Sequence, residues 1–273
     1  MTIIPEALDL ASIKARQRAM WASGDFGVIA ALIQIVAERL ADSADLVAGS
    51  RVLDVAGGTG NAAIAAARCG CDVTCTDYVP ALLERGRERA RAEGLHIEFA
   101  EADAEDLPYA DGEFDAVTSV FGAMFAPDQP QAAAELVRVV RPGGTIALTA
   151  WTPDGFLGEL FRATAAHVPP PPGVASPLRW GTEAGITELL GDDVEFVSTR
   201  RRTFTWRFRR PAELIFTLRE WYGPAVKAFE AVGPVGAAAL ERDLIGVVER
   251  AAQPRAGAIA VPAEYLEVVA VKR

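Results

Sequence analysis

The run Val52-Leu-Asp-Val-Ala-Gly-Gly-Thr-Gly60 constrains this chain more than any other stretch. Arg51–Val55 is a short, mostly apolar segment of the kind that forms a buried strand, and the Ala-rich stretch Asn61–Arg68 reads as a helix. Between them the glycines allow a tight turn and let a ligand approach the backbone where a Cβ would clash. Free N–H groups at the start of the following helix favour an anionic group. Gly58, Gly60 and Ala63 also fit the dinucleotide pattern G-x-G-x-x-A, so the turn alone leaves two cofactor classes open.

The same strand–turn–helix unit recurs downstream. Asp72–Thr76 reads as a second strand closed by Asp77, and Pro80 opens a charged helix to about Glu93. Ile97–Ala100 and Phe114–Val120 read as strands, Pro130–Val140 as a helix stopped by Arg141-Pro-Gly-Gly144, and Thr145–Ala150 as a fifth strand. This alternation predicts a parallel sheet covered on both faces, and right-handed crossovers make it doubly wound. Beyond Trp151 the pattern loosens. Phe156–His167 reads as a helix, Pro169–Pro172 as a stiff linker, and Thr182 as the cap of a helix to Leu190. A long strand over Val194–Phe208, helices over Pro211–Tyr222 and Ala225–Ala252, and a strand over Ile259–Val271 complete the chain. The expectation is an α/β, Rossmann-like sheet of seven strands with helical insertions before the sixth and seventh. Ahead of it, residues 6–20 and 26–46 read as amphipathic helices separated by a break at Ser23, Gly24 and Asp25.

Composition narrows the function. With 51% hydrophobic residues the chain can bury a large core, and a net charge of -10 with only three lysines argues against a nucleic-acid partner. Arg200, Arg201, Arg202, Arg207, Arg209 and Arg210 cluster, either as a solvated strand face or as an anion site. Cys69, Cys71 and Cys75 lack a further Cys or His cluster to complete a zinc site, so buried thiols in a reducing compartment and no metal are expected. The N-terminus shows no signal-peptide pattern, and Gln34, Glu38 and Arg39 interrupt 26–46 too strongly for a membrane span. A cytoplasmic protein is expected.

Acidic residues discriminate between the two cofactors. Asp77, at the end of the second strand, suits ribose hydroxyls in either case. Asp54 lies inside the first strand, where a carboxylate suits the ammonium of an amino acid. In Glu101-Ala-Asp-Ala-Glu-Asp-Leu-Pro108, Asp103 is placed to accept from an adenine amino group. A Tyr-x-x-x-Lys dyad for hydride transfer is absent; Tyr222 and Lys227 miss that spacing by one. The balance favours S-adenosylmethionine (SAM) over NAD(P).

Together with Asp77-Tyr78, Asp103-Ala104, Leu107-Pro-Tyr-Ala-Asp-Gly-Glu-Phe-Asp115 and Leu136-Val-Arg-Val-Val-Arg-Pro-Gly-Gly144, the glycine run resembles class I SAM-dependent methyltransferases. Within them it is similar to the ubiquinone/menaquinone-biosynthesis-type (methyltransferase type 11-like) group, over roughly residues 50–151. The resemblance implies an antiparallel last strand and three parts: an N-terminal helical lid (1–46), a SAM-binding core (47–151), and the remaining strands with substrate-cap helices (152–273). It implies that Asp54, Ala56, Gly57, Gly58, Thr59 and Gly60 line the methionine end and that Asp77 holds the ribose. Tyr78 would pack on adenine, Asp103 and Ala104 would read its edge, and Val120 and Phe121 would contact the cofactor after the fourth strand. Ala56 replaces the first glycine of the common D-x-G-x-G-x-G form, as it does in the quinone-type group.

The implied reaction is methyl transfer to a small organic acceptor, aromatic, quinone-like or a natural product, leaving S-adenosylhomocysteine, in a monomer or homodimer. A non-catalytic SAM-binding protein is the other reading of the same motif. Trp21 and Phe26 are either lid aromatics over the cofactor or a helix–helix contact, and Phe121–Phe125 meets substrate or fills a loop core. His167 is a candidate general base or a helix-end histidine, and His96 reads as structural. Phe204, Trp206, Phe208, Trp221 and Tyr222 wall a pocket or fill the core. No residue is singled out as catalytic.

Overall fold

The computed structural model describes residues 9–273. Helix α1 (Leu10–Trp21) starts where the Asp9 carboxylate accepts the Ser12 N–H at 3.1 Å; the expected start at residue 6 lies outside the described residues. Asp25 caps α2 (Phe26–Ser43) in the same way through Gly27, and the break between the helices turns the chain by 90°.

The core alternates as its pattern predicts: β1 (Arg51–Val55), α3 (Asn61–Arg68), β2 (Asp72–Asp77), α4 (Pro80–Ala92), β3 (Ile97–Glu101), β4 (Phe114–Val120), α5 (Gln129–Val139) and β5 (Val140–Trp151). After them come α6 (Phe156–His167), α7 (Glu183–Leu190), β6 (Val194–Phe208), α8 (Pro211–Trp221), α9 (Gly223–Ala251), β7 (Gln253–Arg255) and β8 (Ala258–Lys272). The sheet order is β3-β2-β1-β4-β5-β8-β6, with β1 to β5 parallel and β8 antiparallel to both its neighbours. Val52, Leu53, Val55, Val117 and Ile146 are wholly buried between the helical layers. Strand order reverses between β1 and β4, and doubly wound sheets bind ligands beyond the carboxyl ends of the strands at that point.

Three expectations are corrected. The sheet holds eight strands: β7 is a three-residue, fully exposed segment paired to the start of β8, too short to show alternation. Arg141-Pro-Gly-Gly144 does not precede β5 but lies within it, as an irregularity between the pairs Phe114–Val140 and Ala116–Thr145 that Gly143, at φ 73°, accommodates. The long helix α9 is broken at Gly233 (φ 62°, ψ -175°), because Pro234 bars the helical conformation from the residue before it.

Phe204 and Trp206 are core residues, whereas Trp221 is exposed. Cys71 and Cys75 are buried, but Cys69 is exposed, since it ends α3 on the solvent side. In the arginine cluster, Arg202 reaches the fully buried Glu267 (Nε–Oε1 2.8 Å) and Arg201 pairs with Glu264 at 3.0 Å, while Arg200, Arg207, Arg209 and Arg210 are exposed. Among the described residues no helix is long and apolar enough to cross a membrane, and no His/Cys/Asp/Glu group is arranged for a metal.

Candidate functional site

The glycine loop is shaped from behind. Ala56 leaves β1 at φ 50°, a left-handed conformation that an alanine adopts at a cost of about 1–2 kcal/mol. It is held there by the segment after β4: a Cβ on Gly122 would stand 2.2 Å from the Ala56 carbonyl oxygen. The loop closes with Gly57 N–H on Thr76 O and Gly60 N–H on Gly57 O, both at 2.9 Å, and Gly60 (φ 81°) delivers the chain into α3.

Two buried carboxylates fasten this loop to the sheet. Asp54 accepts the Ala63 N–H in the first turn of α3 at 2.9 Å and the Thr118 hydroxyl of β4 at 3.2 Å. Asp77 accepts the Gly58 and Val79 amides, each at 2.9 Å. Burial raises both acids, Asp54 to about 7 and Asp77 to about 6, against the opposing pull of these hydrogen bonds.

α1 crosses the ends of β2 and β3. Lys14 Nζ lies 2.6 Å from Asp103 Oδ2 and 2.5 Å from Glu105 Oε2, and Arg18 pairs with Glu101. Farther along α1, Gln17 donates to the Phe125 carbonyl at 3.1 Å. Trp21 packs edge-on against Phe26 (5.7 Å), Phe125 (5.0 Å) and Tyr222 (5.7 Å). The aromatic pair flanking the helix break thus makes both a helix contact and a wall of the cleft.

Arg89 of α4 is a further support. Its guanidinium donates to the Thr59 carbonyl (2.7 Å) and hydroxyl (2.9 Å), to Asn61 Oδ1 (2.7 Å) and to Gln34 Oε1 (2.8 Å). Asn61 Nδ2 in turn donates to the Ala30 carbonyl. One half-buried cation therefore joins α4, the loop and α2. Nothing local in the sequence marks Lys14, Gln17, Asn61 or Arg89 for these tasks, because each contact spans distant segments of chain.

Trp21, Asp54, Ala56, Gly57, Gly58, Thr59, Asp77, Tyr78, Asp103, Ala104, Val120 and Phe121 line one cleft at the switch point, together with Phe26, Ile33, Ala62 and Phe125. Gly60 does not; it sits behind as the cap of α3. Phe121, at φ 56°, stacks its ring on Trp151 (3.7 Å, 5°). His167 is not in the cleft: its Nε2 lies 2.7 Å from Asp243 Oδ2, because the end of α6 packs on α9. Among the described residues no histidine lines the cleft, and Asp54, Asp77, Asp103 and Glu105 are all engaged by protein donors.

Comparison with known proteins places this architecture. Residues 52–144 match the family described as "Methyltransferase domain". An uncharacterised protein of Mycobacterium tuberculosis is 41% identical over 278 residues, covering 100% of each chain. Demethylmenaquinone methyltransferase of Deinococcus radiodurans is 42% identical over 138 residues, 48% of this chain and 57% of that protein. A putative methyltransferase from Bacillus halodurans shares the fold at a TM-score of 0.61 and 19% identity, covering 86% of this chain and 98% of its own. The strand–loop–helix with its trailing acids, the matched domain and these relatives agree: residues 52–144 form a class I SAM-dependent methyltransferase domain, and this core is similar to the ubiquinone/menaquinone-biosynthesis type.

Proposed function

We propose that this enzyme methylates a small aromatic or quinone-like acceptor, with SAM bound along the cleft from the glycine loop to Asp103. The observation that carries the reading is the convergence of the Ala56–Thr59 loop, Asp77 and Asp103 on one cleft at the switch point. The loop fits such a ligand: on the Gly58 side a Cβ would meet only the side chains of Phe26 and Leu82, at 3.8 and 3.9 Å, leaving the backbone approachable.

In this reading the first turn of α3 (Asn61, Ala62) faces the methionine carboxylate, whose charge the helix end stabilises by about 0.3–1 kcal/mol. Asp54 sets the loop and supplies negative charge for the ammonium. Asp77 uses the lone pairs its backbone partners leave free to accept from the ribose hydroxyls. Tyr78 packs on adenine, and Asp103 and Ala104 read its edge.

When bound, SAM supplies an activated sulfonium methyl, so the chain's own task is alignment and exclusion of water. Trp21, Phe26, Ile33 and Phe125 form an apolar wall for the acceptor. Among the described residues no histidine or free carboxylate lines the cleft, which suits a nucleophile that ionises readily by itself, such as a phenol or an enol. Residues 1–46 act as the lid, 47–151 as the cofactor core and 152–273 as sheet completion and substrate cap. The net charge of -10 disfavours nucleic acid as substrate, and the exposed Cys69 thiol suits a reducing, cytoplasmic setting. A monomer or a homodimer is the assembly this reading carries.

The test is calorimetric titration with SAM, S-adenosylhomocysteine and NADH, followed by labelled-methyl transfer from SAM to phenols and quinols. Binding of NADH in place of both SAM and its product would overturn the reading. SAM binding with no transfer to any acceptor would instead indicate a non-catalytic SAM-binding protein.

A further inference from the structure

We propose that Gln17 recognises the acceptor, its side-chain oxygen taking a hydrogen bond from a hydroxyl group on the molecule to be methylated. The proposal rests on the reading of the cleft as the SAM site.

Lys14, Gln17 and Trp21 occupy one face of α1 and all line the cleft. The Gln17 amide has a determined orientation, because the Phe125 carbonyl can only accept and so must face Nε2, at 3.1 Å. Oε1 is consequently the end left over. It is buried and has no hydrogen-bond partner among the described residues. A buried acceptor without a donor costs about 1–3 kcal/mol, so its complement is an O–H or N–H from a ligand.

Three other polar side chains of the cleft are already engaged. Lys14 is bound by Asp103 and Glu105, Asn61 by the Ala30 carbonyl and Arg89, and Asp54 by Ala63 and Thr118. Position separates acceptor from cofactor. Lys14 stands at Asp103, the proposed adenine edge. Gln17, one turn farther along α1, stands against Phe125, beside the wall formed by Trp21 and Phe26. A donor presented there belongs to a largely apolar molecule. An ionised oxygen has no proton to donate, so the hydroxyl held by Gln17 is distinct from the nucleophilic atom. The acceptor class is a phenol, enol or hydroquinol with a free hydroxyl beside its reacting atom.

The test uses protein saturated with S-adenosylhomocysteine, titrated with 1-naphthol and with 1-methoxynaphthalene, which lacks the donor. Wild type is expected to bind the naphthol about tenfold more tightly. Gln17→Met removes the acceptor oxygen at similar volume and should bring the two affinities together, with S-adenosylhomocysteine binding changed less than about twofold. Gln17→Leu repeats the comparison if methionine lowers the melting temperature. Equal affinities in wild type, no binding of either naphthalene, or a preference that survives Gln17→Met would overturn the proposal. So would a matching loss of S-adenosylhomocysteine affinity in Gln17→Met, which would assign the donor to the cofactor. Failure of wild type to bind S-adenosylhomocysteine at all would instead sink the underlying site assignment, and this proposal with it.

Discussion

Asp77, the last residue of β2, accepts the Gly58 amide at 2.9 Å and so holds the glycine loop in the shape it offers to a ligand. The same carboxylate accepts the Val79 amide where the chain turns toward α4. Under the proposed cofactor assignment, its position in the cleft joins loop geometry and ligand contact in one side chain. Charge-assisted hydrogen bonds of this kind contribute about 1.5–3 kcal/mol each. Asp77→Ala is expected to weaken SAM binding by about 100-fold and lower the melting temperature. Asp77→Asn, which keeps one acceptor oxygen, should fall between. Calorimetry checks this, and unchanged affinity in Asp77→Ala would remove the basis for the cofactor assignment.

The buried acids predict a pH dependence. Folding raises Asp54 to about 7 and Asp77 to about 6, so the fold favours their protonated forms. Well below the ordinary aspartate value of 3.8 the folded and unfolded states are both protonated and the stability of the protonated fold is fully present. As pH rises from about 4 to 7 the unfolded chain ionises first, and stability falls by about 1.4 kcal/mol per unit of displacement until the folded acids ionise too. Asp54→Asn should flatten this decline. Denaturation midpoints at pH 4.5 and pH 8 measure it, and parallel curves for variant and wild type would contradict the assignment.

Arg89 should prove more important than its place on a charged helix suggests. Its four contacts with Thr59, Asn61 and Gln34 use a planar fork that lysine cannot reproduce. Arg89→Lys is expected to cost about 2 kcal/mol, or about 5 °C in melting temperature, and to weaken SAM binding through a looser loop. Equal melting temperatures would show that the network carries no stability.

Ala56 and Gly122 predict opposite outcomes for two small substitutions. Ala56→Gly relieves the left-handed strain of about 1–2 kcal/mol and gives back part of it as unfolded-state entropy, so stability should hold or rise slightly. Gly122→Ala drives a Cβ to within 2.2 Å of the Ala56 carbonyl oxygen and should abolish SAM binding and lower stability sharply. Thermal melts and SAM titrations of the two proteins would distinguish these effects.

Much of the core was legible because its signals are local. Strand, glycine turn and helix succeed one another within Arg51–Arg68, Asp77 ends β2, and Asp103 follows two residues after β3. Backbone conformation and strand period act over a few residues, so a linear reading captures them. The short strand β7 and the irregularity at Arg141–Gly144 escaped it, because pairing partners decide them; the break at Gly233 is set locally by Pro234, and an expectation of one unbroken helix there passed over a signal the sequence carries. His167 shows the same limit: a candidate base by type lies at the end of α6, outside the cleft and bound to Asp243.

By itself, then, the order of residues determined the doubly wound core, the loop and the acidic residues around it, since each depends on neighbours along the chain. Only the tertiary structure decided that Lys14 and Gln17 close the cleft, that Arg89 braces the loop, and that Phe121 turns its ring onto Trp151. Those choices depend on which distant surfaces meet when apolar area is buried. Spacing along the chain does not encode that.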